Sequence, residues 1–313
     1  MKLIVQIPCY NEEQTLLAVL ESIPKKIKGV DSLEILIIDD GSTDKTVAVA
    51  KKFGIRHIIY HRRNMGLARS FQDGVNLALE LGADILVNTD GDNQYPQAKI
   101  PDLIQPILAG QAEIVVADRQ TAKIADFSPL KKCLQLFGSY IVNKAAGTNL
   151  PDAASGFRAY SRLSLLRLNT ITQFSYCMET IIQAGNKRLA IVSIPITANP
   201  KTRPSRLFKN MWQHVFKSMT AIVRAYIMYK PRVIFSSLST FFLVIGLVPF
   251  VRYLVFAVEH DADGHLQSLL VGAVFLFIAF LLMVLGIVAD LIHINRILLE
   301  EMLERTKINQ LNK

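Results

Sequence analysis

The sequence predicts an α/β domain with a mostly parallel sheet, then an amphipathic helix at a membrane surface, then two transmembrane helices. Three observations predict this order. Short β-branched runs alternate with helically spaced segments over residues 1–200. Residues 201–232 hold eight Lys/Arg and no Asp/Glu. Two charge-free stretches follow, 19 residues long at 233–251 and 21 residues long at 269–289.

The strand candidates are 3–7, 34–38, 55–60, 84–88 and 113–117, with further ones at 155–160 and 188–196. Helical spacing marks 12–23, 43–53, 66–81, 97–109 and 129–146. Alternation of this kind implies βαβ units, a mostly parallel sheet and helices on both of its faces. Ser42-Thr43-Asp44 is the expected N-cap of the second helix, because short polar side chains there accept from unpaired amides.

The pattern stops at about residue 200. Beyond it, Phe208, Met211, Trp212, Val215, Phe216, Met219, Ile222, Val223 and Tyr226 recur at three- and four-residue steps, with Lys209, Lys217 and Arg224 between them. An apolar stripe beside a cationic face suits the headgroup layer of an anionic leaflet. Each of the two following stretches matches the roughly 20 apolar residues that cross a bilayer core. Lys230 and Arg232 precede the first and Arg296 follows the second, whereas the loop 259–265 between them is acidic. The positive-inside rule then puts the α/β domain and both termini in the cytoplasm. The expected divisions are 1–205, 206–232, 233–293 and a C-terminal helix 294–313, the last a candidate for homo-oligomer contacts.

Composition agrees. The chain is 51% hydrophobic, carries only 19% charged residues and still has a net charge of +9. That balance favours a membrane surface or anionic ligands over a free soluble protein. Cys9, Cys133 and Cys177 are far apart and lack C-x-x-C spacing, so they read as reduced thiols and not as a zinc or disulfide set. The N-terminus has no apolar run of signal-peptide length and reads as a strand.

In parallel α/β sheets, ligands bind beyond the carboxyl ends of the strands. Those ends read Pro8-Cys9-Tyr10-Asn11-Glu12-Glu13, Asp39-Asp40-Gly41-Ser42, Arg62-Arg63-Asn64, Asp90-Gly91-Asp92-Asn93-Gln94 and Asp118-Arg119. Nearly every one finishes in carboxylates, amides or arginines, which marks one site. Asp90, Asp92 and Gln94 can offer hard oxygens to Mg²⁺ or Mn²⁺, and such an ion neutralises a diphosphate as it departs. Arg119 and the pair Lys131-Lys132 can hold the same phosphates. There is no G-x-G-x-x-G after the first strand and no G-x-x-x-x-G-K-[ST], which excludes a dinucleotide oxidoreductase and a P-loop ATPase. His57, His61 and His214 show no ligand spacing and are expected at surfaces or interfaces.

P-C-Y-N-E-E at 8–13, D-D-G-S-T-D at 39–44, R-N-x-G at 63–66, D-G-D-N-Q at 90–94 and D-A-A-S-G-F-R-A-Y at 152–160 together resemble the family-2 inverting glycosyltransferases of GT-A fold. Within them the set is similar to the polyprenyl-phosphate glycosyltransferases, the group of dolichyl-phosphate mannose synthase. The resemblance covers about residues 1–206. It implies that Pro8, Tyr10, Glu12, Asp39 and Asp40 line the nucleoside pocket. Asp90 would serve both nucleotide and metal, with Asp92 and Gln94 beside it, and Arg119 would bind diphosphate. Lys131 or Lys132 would stand where relatives have arginine. Asp152, Ser155 and Arg158 would lie near the acceptor. Arg203, Ser205 and Arg206 would meet the lipid phosphate, although T-R-P-S-R departs from the G-x-S-K of relatives. Asp152, Asp92 and Arg119 are the catalytic candidates.

The implied reaction moves a sugar from a nucleotide sugar, UDP-hexose or GDP-mannose, to polyprenyl phosphate. Nucleic acid is not an expected partner. A phosphate monoester, with a second pKa near about 6, is already mostly ionised at pH 7. Asp152 is therefore not needed as a strong base and is as suited to orienting the sugar or a basic side chain. A processive polysaccharide synthase would need more membrane helices and a Q-x-x-R-W motif, neither of which is present. Intact acidic motifs at the strand ends argue against a non-enzymatic membrane scaffold.

Overall fold

The computed structural model describes residues 1–121, 129–170, 176–200, 220, 223, 227–258 and 266–311. The chain divides into two compact units, Met1–Ala225 with Leu303–Lys313, and Tyr226–Met302.

The first unit is built on seven strands: β1 (Lys2–Cys9), β2 (Ser32–Asp39), β3 (His57–Tyr60), β4 (Ile85–Asn88), β5 (Ile114–Asp118), β6 (Arg158–Ser161) and β7 (Ile191–Pro195). Their order across the sheet is β3-β2-β1-β4-β6-β5-β7. Every pairing is parallel except those of β6, which runs antiparallel to both β4 and β5. The mostly parallel sheet expected from the alternating pattern is therefore present. The strand expected at 155–160 begins only at Arg158, so 152–157 is left as a loop.

The helices are α1 (Leu16–Ser22), α2 (Thr46–Phe53), α3 (Leu67–Glu80), α4 (Ile100–Leu108), α5 (Pro129–Ala146), α6 (Arg162–Arg167) and α7 (Tyr176–Asn186). They cover the sheet because their apolar positions fall at helical period. In α3, Ala68, Phe71, Val75, Ala78 and Leu79 are all buried. The core beneath is aliphatic: Leu3, Val5, Ile7, Ile37, Val87, Val115 and Ala159 are essentially unexposed. α2 starts later than the Ser42-Thr43-Asp44 cluster predicts, with Lys45 at the cap position. Asp44 still serves the helix end, since its Oδ1 accepts from the Thr46 amide at 2.9 Å.

The second unit consists of most of two helices, α8 (Pro231–Val258) and α9 (Leu266–Leu311). Both are long and apolar enough to cross a membrane, and little of their most apolar windows is buried. Val244, Val248, Leu254 and Phe277 are all more than half exposed, as suits lipid-facing side chains and not a soluble core. Small residues bring the helices together. A Cβ on Gly246 would stand 2.9 Å from the Leu276 amide nitrogen, and one on Gly272 would stand 2.9 Å from the Gly246 carbonyl. Ser239 Oγ donates to the Ala279 carbonyl at 2.8 Å.

α9 continues without a break through residue 293, where a separate C-terminal helix was expected to begin. Its last turns belong to the first unit. There Glu304 Oε1 lies 3.1 Å from Arg167 Nε, and Lys307 Nζ donates to Asn169 Oδ1 at 2.6 Å. Of the expected amphipathic segment 206–232, residues 206–219, 221, 222 and 224–226 lie outside the described residues, Arg206 among them, as do Arg203 and Ser205 before it and the loop 259–265.

Candidate active site

The sheet delivers its polar residues to one edge. Cys9 pairs with Asp39 at the ends of β1 and β2, and β4 and β5 finish alongside at Asn88 and Asp118. β6 runs the other way, so its first residue lies at that same edge, with Arg158 opposite Asn88. The loop 152–157 therefore enters among the strand ends, as the motif reading requires.

The D-D-G-S turn is an organised corner. Asp40 is buried, and its carboxylate accepts from the Met65 amide at 2.7 Å, the Gly66 amide at 2.9 Å and His61 Nδ1 at 2.7 Å. His61 Nε2 reaches Asp73 Oδ2 at 3.2 Å, and Asp73 also takes Arg69 Nε at 2.7 Å. Gly41 has φ +77° and sits so close beneath the next loop that a Cβ would meet the Arg63 carbonyl carbon at 2.6 Å. Only glycine meets both demands. Two sequence expectations change here. Asp40 binds its own chain with both oxygens and so holds the 61–66 loop. His61, expected at a surface or interface, is half-buried, and its ring bridges two carboxylates, a role that depends on β2–β3 pairing and has no mark in local sequence. Residues 60–63 with Met65, Arg69 and Asp73 line a cavity of about 430 Å³.

Pro8 is buried and Tyr10 is 39% exposed at the mouth of the same corner. Asn11, with φ 57°, accepts from the Thr43 amide at 2.8 Å and donates its own amide to Ser42 Oγ at 2.9 Å, which ties the P-C-Y-N-E-E loop to the D-D-G-S-T-D turn. Glu12 is buried and accepts from Thr15 Oγ1 at 2.9 Å. Thr15 Oγ1 also lies 2.8 Å from the Gly91 carbonyl, linking this loop to D-G-D-N-Q. Asp39 is buried behind the turn, 3.4 Å from the Ser42 amide.

In D-G-D-N-Q, Asp92 accepts from the Gln94 amide at 3.1 Å and from Gln94 Nε2 at 2.7 Å. Gln94 thus braces Asp92, and its amide oxygen is the atom it can offer a cation. Asp90 lies against Gly156, where a Cβ would stand 3.4 Å from its carboxylate oxygens. Gly156 is fixed by three buried groups that motif reading missed: its amide donates to Tyr95 Oη at 3.0 Å, and its carbonyl accepts from Asn88 Nδ2 at 2.9 Å and from Tyr176 Oη at 3.2 Å. Burial pushes the Tyr95 and Tyr176 hydroxyls up, and the charge of Asp90 adds to it, so both stay protonated and neutral.

Asp152 and Arg119 form the central ion pair. Arg119 Nε lies 2.6 Å from Asp152 Oδ2, and Nη2 lies 2.9 Å from Oδ1. Burial would raise the Asp152 pKa, but the charge and hydrogen bonds of Arg119 outweigh it and hold that carboxyl below its usual range. Burial would likewise lower the Arg119 pKa, yet Tyr95 and Asp152 raise it overall. The pair is therefore fully ionised, with the Arg119 side chain 19% exposed and Asp152 sealed. Asp152 orients a basic side chain, one of the two roles open to it from sequence.

Arg158 behaves differently from its expected acceptor role. It is completely buried, and its guanidinium donates to the carbonyls of Ala153 at 2.8 Å, Ser155 at 2.7 Å and Cys177 at 2.8 Å, and to Thr180 Oγ1 at 2.9 Å. With its donors spent on backbone it braces the 152–157 loop and does not reach a phosphate. Ser155 is also fully buried, and its Oγ has no hydrogen-bond partner among the described residues. Lys132 is half-buried on α5, whereas the Lys131 side chain lies outside the described residues.

Asp90 and Asp92 can offer hard oxygen donors at this edge. Among the described residues no group of three or more His, Cys, Asp or Glu side chains converges for a metal. A site of this kind fits an ion that keeps water and takes substrate phosphate oxygens, as Mg²⁺ does when held by one or two carboxylates.

A parallel α/β sheet with acidic loops gathered at one edge, an antiparallel strand feeding that edge and an ionised Arg–Asp pair among them defines a nucleotide-diphosphosugar-transferase type of site. The sequence match agrees: residues 4–168 match the family described as Glycosyl transferase family 2, and the chain belongs to it. It is 30% identical over 211 residues to the UDP-N-acetylglucosamine–dolichyl-phosphate N-acetylglucosaminyltransferase of Methanococcus voltae, covering 61% of this chain and 82% of that one. It is 27% identical to the undecaprenyl-phosphate mannosyltransferase of Micrococcus luteus, covering 63% and 83%. Among solved structures it is similar in fold to glucosyl-3-phosphoglycerate synthase of Mycobacterium tuberculosis, determined with Mn²⁺, UDP and phosphoglyceric acid. That match has a TM-score of 0.53 and 22% identity, over 71% of this chain and 78% of that one. The GT-A fold expected from the motifs is thereby established.

Proposed function

We propose that this glycosyltransferase moves a hexosyl group from a nucleotide sugar, UDP-hexose or GDP-mannose, to polyprenyl phosphate at the cytoplasmic membrane face. A phosphate oxygen of the lipid attacks the anomeric carbon. The bond from that carbon to the β-phosphate oxygen breaks, nucleoside diphosphate leaves with the electron pair, and configuration inverts. Asp90 and Asp92 would hold a divalent ion, Mg²⁺ or Mn²⁺, whose bound charge stabilises the departing diphosphate. Arg119, aimed by Asp152, supplies a fixed positive charge to the phosphates. The D-D-G-S corner and the 61–66 loop shape the nucleoside end.

The observation that carries this reading is the state of Asp152. The buried carboxylate beside the proposed reaction centre is ionised and taken by Arg119, so it is poorly placed to deprotonate a hydroxyl. An acceptor that arrives already ionised, such as a phosphate monoester, needs no such base. The names of the polyprenyl-phosphate relatives and the two apolar helices support a lipid acceptor, and the basic flanks of those helices support a cytoplasmic site with the 259–265 loop outside. Arg203, Ser205 and Arg206 remain the proposed contacts for the lipid phosphate, with Lys131 and Lys132.

The test is incubation of the purified full chain with polyprenyl phosphate, Mg²⁺ or Mn²⁺ and a panel of nucleotide sugars, with the lipid product read by mass. One lipid-linked hexose and a stoichiometric nucleoside diphosphate are expected. Release of pyrophosphate, or transfer only to a hydroxyl acceptor, would overturn the reading.

A further inference from the structure

The D-G-D-N-Q loop contains a backbone oddity. Asn93, between the second aspartate and the glutamine, has φ 60°. A non-glycine residue in the left-handed region costs of order 1 kcal/mol or more and persists only where its surroundings hold it. Besides the Asp92–Gln94 contacts across the turn, one distant residue holds it: Asn199, 106 positions away and four past the end of β7. Its Nδ2 donates to the Asn93 carbonyl at 3.0 Å and lies 3.5 Å from the Tyr95 carbonyl. Its backbone amide donates to the Gln94 carbonyl at 2.9 Å. Three successive carbonyls of the loop thus face a single asparagine. The Asp92–Gln94 contacts lie within the same turn, so the angle at Asn93 sets where the Asp92 carboxylate points relative to Asp90.

We propose that Asn199 is a positioning residue for divalent-ion and diphosphate binding, acting through the Asn93 turn to aim Asp92. The inference rests on the assignment of Asp90 and Asp92 to a nucleotide-bound divalent ion. Partners one step behind metal-binding carboxylates commonly alter metal affinity or activity about 10- to 100-fold when removed. Asn199 touches neither substrate nor ion in this account. It immediately precedes Pro200 and the basic stretch entered at Lys201, so the chain segment leading to the proposed lipid-phosphate contacts is tied to the metal loop at this point.

The experiment uses the full-length protein in detergent and measures Mn²⁺ binding in the presence of UDP, and separately of GDP, by electron paramagnetic resonance. Asn199→Ala is expected to weaken Mn²⁺ binding about tenfold and to raise the Mn²⁺ concentration for half-maximal transfer to match. KM for polyprenyl phosphate and thermal unfolding of the metal-free protein should stay near wild type. In an Asn93→Gly background the left-handed turn needs no clamp, so adding Asn199→Ala should weaken Mn²⁺ binding clearly less than it does in the parent. Equal losses in both backgrounds, an unchanged Mn²⁺ isotherm, or a fall in turnover at saturating Mn²⁺ with lowered thermal stability would overturn the proposal. Failure of wild-type protein to bind Mn²⁺ with either nucleotide would instead remove the metal assignment on which it rests.

Discussion

Two arginines stand at the same edge of the sheet, and the structure treats them in opposite ways. Arg119, one residue past β5, faces a carboxylate and keeps a fifth of its side chain open. Arg158, the first residue of β6, is sealed and donates only to carbonyls and a threonine hydroxyl. Both are held in the charged form, yet only one has a direction in which to use the charge. The carboxylate of Asp152 anchors Arg119 through two of its nitrogens, and in the proposed function the rest of the guanidinium faces phosphate. Arg158 spends its fork on the loop that carries Asp152 and on α7, tying the one to the other. In the proposed function one arginine serves the chemistry and the other holds the loop, although both occur in motifs that look equally functional.

Replacement tests sharpen this contrast. Arg158→Met should have the largest effect on folding. It orphans three buried carbonyls, each costing about 1–3 kcal/mol, so a loss of at least about 3 kcal/mol is expected in detergent-based unfolding. A variant of wild-type stability with a raised KM for the lipid would reverse the assignment of roles.

Asp152→Asn should act mainly on turnover, lowering kcat by about 100-fold or more with nucleotide binding measured by calorimetry little changed. Its pH behaviour is a sharper check. Because the folded Asp152 pKa is depressed, the stabilisation from its pair with Arg119 is fully present above the unfolded carboxylate value of about 4 and is lost only as pH falls through the lower folded value. No limb of the kcat profile between pH 5 and 8 should therefore belong to Asp152, and the residual profile of the Asn variant should keep the wild-type shape. An acidic limb that disappears in Asp152→Asn would identify a general base.

His61→Ala extends the contrast to a second buried carboxylate. Loss of one ring contact to Asp40 loosens the 61–66 loop, and KM for the nucleotide sugar should rise about tenfold with kcat nearly preserved, the cost of one buried hydrogen bond to a charged group. Steady-state kinetics against the sugar donor decides it. The smallest effect is expected at Ser239→Ala, where one hydroxyl–carbonyl contact between membrane helices is worth roughly 0.6 kcal/mol and transfer should be unaffected.

The sequence displayed what short-range pattern can display. Strand-end placement of Asp39-Asp40, Asp90-Asp92 and Asp118-Arg119 follows from period and turn chemistry, and the sheet and two apolar helices follow from hydrophobic spacing. What it concealed depends on partners far along the chain. Asn88 joins Gln6 and Tyr176 at separations of 82 and 88 residues. His61 acquires meaning only because β3 pairs with β2, and Asn199 only because the end of β7 returns to the D-G-D-N-Q loop. Arg158 misled because a charged residue inside a motif is read as outward-facing, whereas the antiparallel entry of β6 turns it into the interior.

That reversal of β6 has an architectural consequence. The parallel strands must rise from the far side of the sheet before they contribute a loop, so any change in those loops is constrained by a helix and a strand on either side. The stretch between α5 and β6 instead arrives from the near side, pinned by Asn143 at its start and Arg158 at its finish. Between those two anchors the segment carries Asp152 to Arg119 without passing through a parallel strand, so its path can change without shifting the register of any strand.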